Sequence, residues 1–286
     1  MDGRRIEKMV GKYYGTWWKE LIFVVLGSVI STAVVFWLLC LILGNPFTYE
    51  TDALFFTVTF YGWLDERPYM SVVWIGLAVL LVLIAGLVLI LRRAQKMLRP
   101  LHRDCDEEFC LAAQRRGIEC GRGHVFRRGM MYLLEDQYID LLCTSRRVDE
   151  AREYMESGWS QGKRGSYRSA VQYIDYCEAL YSGDLERFEE IAARLKGLGK
   201  HKYAVETNRL FLTGDYAGAI EQLKKQPCRS EAARVQRASA MARCYDAMGD
   251  EAAAAENYRY AAEHGNTMRC ACGAREWLAA HGVVEN

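Results

Sequence analysis

Three short stretches decide how this chain is read: Ser182-Gly183-Asp184-Leu185-Glu186-Arg187-Phe188, Thr213-Gly214-Asp215-Tyr216-Ala217-Gly218-Ala219 and Met248-Gly249-Asp250-Glu251-Ala252-Ala253-Ala254. Their glycines are separated by 31 and then 35 residues, and each Gly-Asp pair stands between two stretches of helical periodicity. Glycine accepts the left-handed backbone that ends one helix, and aspartate caps the free N–H groups that begin the next. Small residues a few places later let the two helices lie close together. A fourth copy, Arg147-Val148-Asp149-Glu150-Ala151, lacks the glycine. The pattern predicts an array of helical hairpins.

The last unit, Arg234 to Asn266, is the best preserved. It has Ala242 and Tyr245 on its first helix, Gly249 at the turn, and Ala254, Tyr258 and Ala261 on its second. In type and spacing these residues resemble the tetratricopeptide repeat, a helix-turn-helix unit of about 34 residues. The likeness covers residues 147–266. The unit before it keeps Gly214, Tyr216 and Ala219 and breaks at Pro227, while the unit around Gly183 has Phe188 where a small residue is expected. The resemblance implies an α-solenoid whose first helices line a concave groove for a peptide or partner helix. Tyr173, Cys177, His201, Asn208, Gln236 and Arg243 would face that groove, and no cofactor is implied. Met268 to His281 reads as one further helix, with Trp277 and Leu278 covering the last apolar face. Ahead of the hairpins, Asp104 to Arg116 reads as a helix, followed by a glycine-rich break from Gly117 to Gly123.

Working outward, the character of the chain changes at Pro100. Two uncharged apolar runs precede it, Leu21 to Leu43 (23 residues) and Met70 to Leu91 (22 residues). At about 1.5 Å per residue, each is long enough for a hydrocarbon layer of about 30 Å. Tyr13, Tyr14, Trp17 and Trp18 precede the first run, at the place where amphipathic rings favour the headgroup level. Basic residues stand outside both runs: Arg4, Arg5, Lys8, Lys12 and Lys19 before the first, and Arg92, Arg93, Lys96, Arg99 and Arg103 after the second. The segment between them is acidic and rich in rings. This asymmetry predicts a multi-pass membrane protein with both termini cytoplasmic. Gly27 with Ser31, and Ser28 with Thr32, form a small-residue face suited to the second span or to a homodimer through the first.

The expected fold class is therefore all-α, a two-helix transmembrane hairpin followed by a cytoplasmic tetratricopeptide-like solenoid. Its parts would be an N-terminal arm (1–20), spans at 21–43 and 70–91, an outer loop (44–69), a juxtamembrane helical linker (92–130) and the repeat domain (131–286). Lys19, Arg92, Arg93, Lys96 and Arg99 would set topology and meet anionic lipid.

Charge and composition narrow the chemistry. With 37 basic against 36 acidic residues, the chain lacks the excess that follows nucleic-acid phosphates. Ten cysteines, none in the segment 44–69, suit a reducing compartment. His102, Cys105, Cys110, Cys120 and His124 could supply zinc ligands, but their C-x4-C-x9-C-x3-H spacing lacks a tight knuckle. No G-x-S-x-G, H-E-x-x-H or P-loop pattern is present. These observations point away from an enzyme and toward a membrane-anchored adaptor or scaffold that binds a protein partner. The alternative is a sensor whose ring-rich outer loop perceives a ligand and signals to the repeats. A metal protein or enzyme built on residues 102–124 stands third.

Overall fold

At Gly183, Gly214 and Gly249 the backbone turns left-handed, with φ of 77°, 81° and 76°. The aspartate that follows each glycine then opens a new helix. Asp184, Asp215 and Asp250 accept from the N–H groups of Arg187, Gly218 and Ala253 at 3.0, 2.9 and 3.0 Å. The preceding helix closes with a paired motif at each site. At the last, the Gly249 N–H donates to the Asp246 carbonyl at 3.0 Å and the Asp250 N–H to the Tyr245 carbonyl at 2.9 Å. The computed structural model describes residues 3–15, 22, 27, 68–122, 128–160, 166–194 and 202–283.

Two compact units are present, residues 13–93 in one and residues 1–12 with 94–286 in the other. In chain order the helices are α1 (Gly3–Tyr14), α2 (Pro68–Met97), α3 (Arg99–Asp104), α4 (Glu107–Arg122), α5 (Arg128–Thr144), α6 (Val148–Ser157), α7 (Ser166–Ser182), α8 (Leu185–Arg194), α9 (Lys202–Leu212), α10 (Tyr216–Lys225), α11 (Glu231–Ala247), α12 (Glu251–His264) and α13 (Arg269–Ala280). No strand occurs among the described residues. Four hairpins follow one another, α5/α6, α7/α8, α9/α10 and α11/α12, and α13 packs on the last. The larger unit is thus an all-α array of helical repeats.

Packing within the hairpins follows a fixed register. Five residues after the left-handed position stand Ala151, Phe188, Ala219 and Ala254, and all four side chains are fully buried. Four residues further on, one helical turn along the same face, Met155, Ala192, Leu223 and Tyr258 are buried as well. Phe188 is accommodated where its counterparts are alanines, with its ring 5.0 Å from that of Tyr176. At the other end of the array, the expected break at Gly117 does not form. Helix α4 runs through it because the missing side chain gives α5 room: a β-carbon at 117 would stand 2.7 Å from Leu134 Cδ1.

The hairpin array closes on itself. Helix α3 packs against α11, and the corner between α12 and α13 docks on the α3–α4 segment. Asn266 Nδ2 donates to the Asp104 carbonyl at 3.1 Å, and the Thr267 hydroxyl donates to Asp106 Oδ1 at 3.1 Å. The Glu108 N–H completes the corner by donating to Thr267 Oγ1 at 3.3 Å.

The transmembrane part of the sequence reading is not upheld. Among the described residues no helix is long and apolar enough to cross a membrane. The first run, 21–43, lies outside the described residues except for Ile22 and Gly27, and the loop 44–69 lies wholly outside them. Tyr13 and Tyr14, expected at headgroup level, are buried edge to face with centroids 4.9 Å apart. Arg93 is buried too and donates from Nη1 to the Tyr13 carbonyl at 2.8 Å, while Arg92, Lys96 and Arg99 are exposed. The transmembrane hairpin and the multi-pass layout with cytoplasmic termini are corrected accordingly.

Candidate binding groove

Helices α5, α7, α9 and α11 are the first members of their hairpins, and with α13 they share one concave face. It encloses a groove of about 1410 Å³. Aromatic side chains furnish much of the wall. Tyr173 and Tyr176 stack with centroids 6.2 Å apart, and Asn208 Nδ2 donates to the Tyr176 hydroxyl oxygen at 3.0 Å. Burial pushes the Tyr176 hydroxyl up to about 12, with the Asn208 hydrogen bond opposing. Further along, Tyr258 lies 4.7 Å from Trp277, which in turn stacks on His281 at 3.9 Å.

Arg146, Arg237, Arg243 and Arg269 line the groove, and two of them lie over aromatic rings. Arg243, on α11, lies over the Phe211 ring at 4.5 Å, and Arg146, in the α5/α6 turn, lies over Tyr181 at 5.2 Å. The Tyr181 hydroxyl is fixed by donation to the Cys143 carbonyl at 2.8 Å. Arg243 is open to water yet crowded by the walls. That crowding, and secondarily the Arg146 charge, lowers its pKa from the ordinary arginine value. Asp136, Asp140, Asp246 and Glu276 also line the groove, but no salt bridge joins any of them to either arginine among the described residues.

Of the residues assigned to a groove from sequence, Tyr173, Cys177, Asn208, Gln236 and Arg243 all line this one. His201 lies outside the described residues. Arg146, Tyr181 and Phe211 went unnoticed in the sequence. Arg146 could have been found by aligning Ala151 with Ala219 and Ala254, which places it in register with the turn glycines.

No group of three or more His, Cys, Asp or Glu side chains is placed to hold a metal ion among the described residues. Cys105 and Cys110 are fully buried, and burial raises their thiols to about 11 and about 12. Cys110 Sγ donates to the Met97 carbonyl at 3.3 Å. His102 is exposed, Cys120 half-buried, and His124 outside the described residues. Behind the groove lining, contact with Cys177 and burial hold the fully buried Cys143 thiol far above its ordinary range, so it is protonated and poorly nucleophilic.

The fold and the groove define a class, a helical-repeat protein whose array closes around a concave interior. No family model, curated protein or solved structure matches the chain.

Proposed function

We propose that this chain is a binding protein that holds a segment of a protein partner inside its helical array and acts as an adaptor or scaffold. The observation that carries this reading is the continuous groove along the inner faces of α5, α7, α9, α11 and α13. Its size falls just above the range of ordinary small-molecule sites, about 300–1,000 Å³. Stacked rings with fixed polar edges, such as the Tyr176–Asn208 pair, offer both apolar area and directed hydrogen bonds. Within this proposal the repeats are of tetratricopeptide type. The Gly-Asp turns and the small buried residues at 219 and 254 support that, and the closing of the array on α3 and α4 is a departure from an open solenoid.

The test is a scan of the full-length protein against an array of unrelated peptides, followed by affinity measurements on the best binders. Replacing Asn208 and Arg243 together by alanine should weaken those binders by about tenfold or more, since each removes a directed contact of about 1 kcal/mol. Binders untouched by the double substitution, or none tighter than about 1 mM, would overturn the proposal.

A further inference from the structure

One of the four hairpin turns departs from the common pattern. Where Gly183, Gly214 and Gly249 take the left-handed position, Arg146 takes it in the α5/α6 turn, with φ of 59°. The backbone bonds are the same pair: the Arg146 N–H donates to the Cys143 carbonyl at 3.1 Å and the Arg147 N–H to the Leu142 carbonyl at 2.8 Å. A β-carbon is strained in that conformation, and nothing in the turn's hydrogen bonding calls for a side chain. The strain is accepted, and what it delivers is a guanidinium to the groove floor.

The same groove is lined by Arg243, which comes from a helix almost a hundred residues away in the chain and lies over the Phe211 ring at 4.5 Å. Both charges lower the hydroxyl pKa of Tyr181 and of Tyr258 against burial, and the Arg146 charge lowers that of Arg243. The side chains of Arg147, Arg152, Arg187, Arg209 and Arg234 are all paired with carboxylates. The four arginines of the groove lining, Arg146, Arg237, Arg243 and Arg269, have no salt bridge among the described residues, and of these Arg146 and Arg243 are the two that lie over aromatic rings. Two like charges in one concavity repel, and an anion held by both offsets that repulsion. Each guanidinium lies over an aromatic ring, and an arginine so placed can still donate from its N–H groups to an oxyanion.

We propose that Arg146 and Arg243 form an oxyanion site on the floor of the groove, taking the carboxylate or phosphate of one acidic residue of the bound segment. Asp246 and Glu276 on the neighbouring wall disfavour a run of acidic residues, so a single anionic group is accommodated. The inference rests on the groove reading for its ligand but not for its test.

That test uses the full-length protein with acetate and inorganic phosphate as separate probes, read by the arginine Nε–Hε resonances. Saturable, concerted shifts of Arg146 and Arg243 are expected with at least one probe, and the probe that binds identifies which oxyanion is taken. Arg146→Gly, which installs the residue found in the other three turns, and Arg243→Gln should each weaken the interaction by about tenfold or more. The Arg237 resonance should stay still, because that side chain already donates to the Gln226 carbonyl. No saturable shift with either probe below about 100 mM, or shifts that survive Arg146→Gly, would sink the site. Anion binding without any peptide binding would instead count against the partner-segment reading and leave the oxyanion site standing.

Discussion

Arg146 has a stability consequence that magnitudes decide. A side chain in the left-handed region costs about 1–2 kcal/mol, glycine gives back about 0.5–1 kcal/mol through its freer unfolded state, and an exposed cation–ring contact is worth about 0.5–1 kcal/mol. These nearly cancel, so Arg146→Gly should leave stability within about 0.5 kcal/mol, or roughly 2 °C in Tm. Gly249→Ala sits at φ 76° with open space around the added methyl, so strain alone acts there. It should destabilise by about 1 kcal/mol. Urea unfolding of the two variants beside the parent chain checks both, and a loss above 1 kcal/mol for Arg146→Gly would mean the arginine serves the turn. The three Gly-Asp turns were readable from sequence because both residues carry their own conformational preference. The fourth was readable only in part. It lacks the cap as well as the glycine, since Arg147 stands where aspartate would be and pairs with Glu150 at 2.6 Å instead.

At the scale of elements, Glu107 occupies the seam where the starts of α4 and α13 meet the end of α5. It is buried, and its pKa is raised chiefly by that burial, against the Ser145 and Arg269 hydrogen bonds that favour the charged form. The Arg269 N–H reaches its Oε2 at 3.5 Å. A carboxyl with a raised folded-state pKa binds its proton more tightly in the folded than in the unfolded chain. Stability attributable to it therefore falls as pH rises through the window from the ordinary glutamate value to the raised one. Glu107→Gln removes that titration, and it should gain stability over the parent at pH 7–8 and lose the advantage at pH 4. Thermal unfolding across this range reads the difference directly, and a gap independent of pH would assign the effect to packing alone. The existence of α4 was legible in its periodicity, but its length was not. Gly117 looks like a break until the approach of Leu134 shows why a helix needs a glycine there.

For the whole molecule, the feature hidden from sequence is closure. Periodicity reveals a stack of hairpins, and a stack leaves its two ends apart; joining them depends on side chains about 160 residues distant that form no motif. The same locality misled the reading of the apolar runs, which were judged on length and flanking charge alone. The seam between the ends is polar. Its bonds from Asn266 and Thr267 to Asp104, Asp106 and Glu108 can be removed without touching the groove. Asn266 itself is left-handed, at φ 42°, a conformation asparagine tolerates better than most residues. At about 1 kcal/mol per hydrogen bond, losing all three bonds in Asn266→Gly with Thr267→Val should cost about 3 kcal/mol in the stability of the seam. Glycine keeps the backbone relaxed and valine keeps the volume, so the loss reports the bonds themselves. Hydrogen exchange should then speed up at residues 104–108 and 266–269, with the α9/α10 hairpin unchanged, because opening the seam leaves each hairpin's own core intact. If instead every hairpin exchanged faster to the same degree, closure would be part of one cooperative unit, and a partner segment could enter the groove only along its length.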